Sequence, residues 1–96
     1  MKELFWTKHA QSKMRYYKIP QSRVRRVIKT PERIEEGIAD GTIAMMAPNN
    51  LGKNAHEIWV MVRDQKTQRK VISAWRYPGR TRPGEPLPEA ILKEFR

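Results

Sequence analysis

The chain of 96 residues contains no cysteine. That excludes disulfide staples, thiolate nucleophiles and cysteine metal ligands, and it fits a reducing, cytoplasmic setting. Histidine is almost as scarce. His9 and His56 stand far apart, without an H-x-x-x-H spacing or a carboxylate cluster, so no metal site is expected. The five glycines, Gly37, Gly41, Gly52, Gly79 and Gly84, lack the spacing of a phosphate-cradling loop. Ser12, Ser22 and Ser73 lack the setting of an activated nucleophile. No apolar run approaches the roughly 20 residues that a membrane span needs. Met1 to Ala10 lacks the apolar stretch of a secretion signal. With 39% hydrophobic residues the chain can build one modest core but no deep enclosed pocket, so no cofactor is expected.

What the chain has in excess is positive charge, a formal +10 from 20 Lys and Arg against ten acids. It is unevenly placed. Residues 1–33 carry a local net of +8 and residues 63–82 a net of +6, while residues 34–62 and 83–96 are slightly acidic. A fold that joins the two basic blocks makes one cationic surface, and nucleic acid is the commonest polyanion to meet it.

Periodicity assigns the elements. Thr7 can cap a helix over roughly 8–18, on which Ala10, Met14 and Tyr17 share a face. Ile19-Pro20 ends it, and Pro20 suits the first turn of a second helix over about 20–29, with Val24, Val27 and Ile28 as its buried stripe. The period then changes to two. Strands are expected over 32–39, 42–46, 57–63 and 69–77, with a tight hairpin at Asp40-Gly41, both at positive φ, and a loop from Pro48 to Asn54. In the third strand Ile58, Val60 and Val62 oppose Trp59, Met61 and Arg63. In the fourth, Val71, Ser73, Trp75 and Tyr77 oppose Ile72, Ala74 and Arg76. Pro78, Pro83, Pro86 and Pro88 make 78–96 an extended arm, with a short helix at 88–95 whose contacts are Leu87, Ile91 and Phe95. The expected architecture is α+β: an α+β domain at 1–77 with two helices on one face of a four-stranded antiparallel meander, then the arm.

His9-Ala10-Gln11-Ser12-Lys13-Met14 with Ile19, together with the layout of Glu57 to Arg63 and Lys70 to Trp75, resembles a small prokaryotic family with the pattern H-A-x-x-[KR]-M-x-x-R-x-I. That family is similar to the BrnT-type toxins and, more distantly, to the RelE-like ribonuclease toxins. Tyr17 stands where the pattern has Arg. The resemblance implies a basic, cytoplasmic, metal-independent endoribonuclease of a toxin–antitoxin system. It acts on free or ribosome-bound RNA and is neutralised by an antitoxin protein.

Cleavage by the ribose 2′-hydroxyl needs a base, cations around the phosphorane and, usefully, an acid for the leaving oxygen. The candidates are His9 as base, Lys13 one turn on as phosphate clamp, Arg63 and Arg76 on neighbouring strands as bidentate holders, and Tyr77 at the leaving group. Candidate nucleic-acid contacts are Arg15, Lys18, Arg23, Arg26 and Arg80, with Trp59 and Trp75 as stacking platforms. Each has an ordinary alternative. His9 also suits a cap, the two Trp suit a core, and Arg23, Arg25 and Arg26 suit a wet face or an acidic partner. Two other functions therefore stand beside the ribonuclease: a non-catalytic RNA- or ribosome-binding module, and a protein-interaction module neutralised by an acidic partner.

Overall fold

A computed structural model describes residues 3–49 and 56–79. The expected loop tip beyond Asn49, the arm beyond Gly79 with its short helix, and Arg80 lie outside the described residues. The elements run β1 (Glu3–Trp6), α1 (Lys8–Tyr17), α2 (Gln21–Lys29), β2 (Arg33–Glu36), β3 (Ile43–Asn49), β4 (His56–Asp64) and β5 (Gln68–Pro78). The strands form one five-stranded sheet in the order β1-β5-β4-β3-β2. The fold is α+β, but the expected four-stranded antiparallel meander is wrong: β1 adds a fifth strand, parallel to β5, with Glu3 opposite Gln68 and Trp6 opposite Val71. Four residues give too short an alternation to read, and their partner lies some 65 positions downstream, where no local signal can announce it. No helix among the described residues is long and apolar enough to cross a membrane.

Thr7 joins strand to helix. Its hydroxyl accepts from Ala10 N at 3.0 Å as the α1 cap and donates to Val71 O of β5 at 2.8 Å. Both helices then lie on one face of the sheet. Ala10, Met14, Ile19, Val24 and Val27 pack against Met45, Ile58, Val60, Val62, Val71 and Ala74. The opposite face carries Ala44, Met46, Trp59, Met61 and Trp75, all fully buried, with Ile38, Ile72, Tyr77 and Tyr17 at their margins. There the Trp59 and Trp75 rings lie parallel within 3°, centroids 6.1 Å apart.

Three local expectations change. The β2–β3 connection is not an Asp40-Gly41 two-residue turn, because Gly41 alone of that pair has positive φ, at 74°. It spans 37–42 and closes through Gly37 N to Thr42 O at 2.9 Å. A Cβ at Gly37 would fall 2.0 Å from Thr42 Oγ1, so the approach requires glycine. Pro48 and Asn49 extend β3 rather than open a loop. They are tolerated because β2 pairs only as far as Met46, leaving that side of β3 without a ladder to donate into among the described residues. Finally, β5 does not alternate throughout. Met61 opposes Ser73 while Val62 opposes Val71, so Ile72 is an extra residue, a β-bulge. Val71 is on the helix side before it. After it, Ser73, Trp75 and Tyr77 point away from the helices, and Ala74 and Arg76 point toward them.

Candidate nucleic-acid interface

The bulge delivers Arg76 to the end of α1. Its Nε donates to Tyr17 O at 2.7 Å and its Nη2 to Lys18 O at 3.1 Å, which satisfies carbonyls that every helix C-terminus leaves open. The helix dipole favours a cation there. Arg76 Nη1 also donates to His56 Nε2, and Asn49 Nδ2 lies 3.3 Å from the same nitrogen. Asn49 and His56 oppose each other across β3 and β4, so the sheet register brings both beside Arg76. The guanidinium lies below its ordinary pKa, first because burial disfavours its charge and second because Arg23 is a like charge nearby.

Two cavities meet at Pro20. The larger, about 420 Å³, is lined by Gln11, Met14, Arg15, Lys18, Ile19, Pro20 and Gln21. The smaller, about 270 Å³, is lined by Pro20, Ser22, Arg23, Arg26, Asn49 and Arg76. Together they form a groove between the end of α1, the start of α2 and the adjoining edge of the sheet. Arg15, Lys18, Arg23, Arg26 and Arg76 line it, and none has a carboxylate partner among the described residues. Arg25, by contrast, turns onto the Trp6 ring, 5.4 Å from its centroid.

Lys18 carries a further signal. It caps α1 at φ 56°, ψ 49°, the left-handed region in which glycine is the unstrained choice. A non-glycine residue there costs about 1–2 kcal/mol. The strain is retained together with a cation at the mouth of the groove. Lys18→Gly is therefore expected to raise stability by about 1 kcal/mol in urea unfolding, since glycine offsets part of its gain through chain entropy. The same change is expected to weaken anion binding, so the two effects run in opposite directions.

The other expected site residues are scattered. His9 is exposed in the first turn of α1, about 12 Å along the axis from Tyr17, where Arg76 docks. Lys13 Nζ sits 5.8 Å from the Tyr16 ring centroid. Arg63 points away from the helices and donates to Asp40 O at 3.0 Å. It lies about 17 Å along β4 from Ile58, the partner of Arg76. Tyr77 is half-buried on that same far face. His9, Arg63 and Arg76, expected to act together in catalysis, are not brought together. Trp59 and Trp75 are fully buried and present no face to a base. Of the expected nucleic-acid contacts, Arg15, Lys18, Arg23 and Arg26 do come together. His56 and Asn49 were not expected. Their signal was positional, since one ends β3, the other begins β4, and the two pair across the sheet.

No family model, curated protein or solved structure matches this chain. The fold and the groove define it as a small α+β domain with a mixed sheet and a cationic cleft at the junction of its two helices.

Proposed function

We propose that this chain is an RNA-binding domain that holds the phosphate backbone in the groove between α1 and α2 without cleaving it. The observation that carries this reading is the convergence of five cations on two adjoining cavities with no carboxylate among the described residues to balance them. A phosphate chain supplies the missing charge at regular spacing. The groove favours binding over cleavage. Attack by the 2′-hydroxyl needs a base within reach, and no His, Asp or Glu lines either cavity among the described residues. His56 is close, but its Nε2 accepts from Arg76, so it positions that guanidinium. An endoribonuclease held by an antitoxin, the function that the sequence resemblance implies, needs a base recruited from elsewhere. RNA as ligand goes with a cytoplasmic setting.

The test is fluorescence anisotropy of labelled single-stranded RNA against salt. The logarithm of affinity is expected to fall linearly with the logarithm of salt, with a slope of about −3.5 for roughly five phosphates at ~0.7 each. Single-stranded DNA and polyglutamate serve as competitors. A flat salt profile refutes the reading. Equal competition by polyglutamate points to an acidic protein partner instead. RNA incubated with the protein in EDTA is expected to stay intact.

A further inference from the structure

Building on that RNA-binding reading, we infer that the smaller cavity is a site for a terminal phosphate monoester of RNA, seated among Arg23, Arg26 and Arg76 with Ser22 and Asn49 at its rim. A phosphodiester carries one negative charge. A monoester carries about −1.5 to −2 at pH 7 and presents three strong acceptor oxygens. Three guanidiniums on one cavity of about 270 Å³ exceed what a single diester balances. Among the described residues the larger cavity carries only Arg15 and Lys18 as cations, a charge density suited to backbone passing through. Because the two meet at Pro20, a strand lying along the larger one presents its end to the smaller.

The site is set before a ligand arrives. A guanidinium has five N–H donors. Three of those on Arg76 are engaged by Tyr17 O, Lys18 O and His56 Nε2, which leaves two for ligand oxygens and fixes the plane of the group. Little rotamer freedom is left to lose on binding. Arg23 and Arg26 are three residues apart on α2 and so share a face. The start of α2 adds to the field. Pro20 is its N-cap and offers no side-chain acceptor, so the first-turn amides of Gln21 and Ser22 have no side-chain cap. Burial and the charge of Arg23 both act against the Arg76 cation. A dianion between the two arginines offsets both effects.

The experiment measures binding of the full chain to one short oligoribonucleotide in three forms: 5′-phosphorylated, 3′-phosphorylated and hydroxyl at both ends. One phosphorylated form is expected to bind about tenfold tighter than the hydroxyl form, the worth of one further charge-assisted contact. Which form it is identifies the end that is read. Inorganic phosphate is expected to compete away that gain and leave hydroxyl-ended RNA bound. Arg26→Gln, at an exposed position that leaves the ties of Arg76 intact, is expected to abolish the preference while circular dichroism stays unchanged. Salt-dependent binding with equal affinity for all three forms overturns the terminal-phosphate site and spares the RNA-binding reading. Failure to bind any form overturns both.

Discussion

Trp59→Ala is expected to cost about 3–5 kcal/mol of stability, the range for deleting a fully buried indole. It should cost more still through what it leaves behind. Trp59 Nε1 donates to Glu57 Oε1 at 3.1 Å, and Glu57 is itself fully buried. The second oxygen of that carboxylate lies 3.8 Å from Arg33 Nη1, and the Arg33 guanidinium sits 5.3 Å from the Trp59 ring centroid. Truncating the indole removes one hydrogen bond to a buried charge and part of the wall that holds the Arg33 partner. Against a domain stability of about 5–15 kcal/mol, the loss takes a large fraction of the total. Trp75→Phe makes the contrast. The Trp75 Nε1 is buried with no hydrogen-bond partner among the described residues, so removing it relieves an unmet donor, and the net change should stay within about 1 kcal/mol. Urea unfolding followed by far-UV circular dichroism measures both. A Trp59→Ala protein of parental stability that has lost RNA affinity would restore the stacking role that the sequence suggests for this residue.

Arg23→Glu combined with Arg26→Glu is expected to act in the opposite way, on binding and not on folding. Two charge-assisted contacts are lost, each worth about 1.5 kcal/mol or more, so RNA affinity falls about a hundredfold. The salt slope becomes shallower by about 1.4, since two phosphates at ~0.7 each drop out. Arg26 is exposed and Arg23 half-buried, and neither belongs to the core. Position 23 lies in the first turn of α2, where a carboxylate meets the positive end of the helix dipole, and the like charge beside Arg76 disappears. Stability should be unchanged or slightly higher. Parallel anisotropy titrations and thermal melts separate the two effects. A double variant that binds RNA as the parent does would remove the groove from the account.

The parts of this molecule written in local sequence were legible. The stripes of Ala10 and Met14, and of Val24 and Val27, announce two helices, and Thr7 announces where the first begins. Ile58, Val60 and Val62 sort a strand correctly by face. What depends on a distant partner was not legible. The edge strand at Leu4 and Trp6 exists because β5 offers it a ladder, and Pro48 stays in a strand because β2 stops short of it. The site follows the same division. Arg15, Lys18, Arg23 and Arg26 lie within one short stretch of α1 and α2, so the clustering of charge along the chain foretold their clustering in space. Arg76 joins them only through the sheet, and His56 and Asn49 only through Arg76. The two indoles could be read either as core or as stacking platforms, because alternation says that a residue leaves one face and says nothing about what seals the other; the core reading holds.

The surplus residue in β5 has a consequence for how the molecule can vary. Past Ile72, each position of the strand is rotated half a turn from where simple alternation would aim it. Were the strand one residue shorter at that point, an indole would meet the end of α1 and a guanidinium would enter the oily layer beneath the sheet. Interior and ligand-facing surface would trade places over a handful of residues. Substitution can tune this segment, but its length is locked: a protein of this design can change what it grips far more easily than it can lose Ile72.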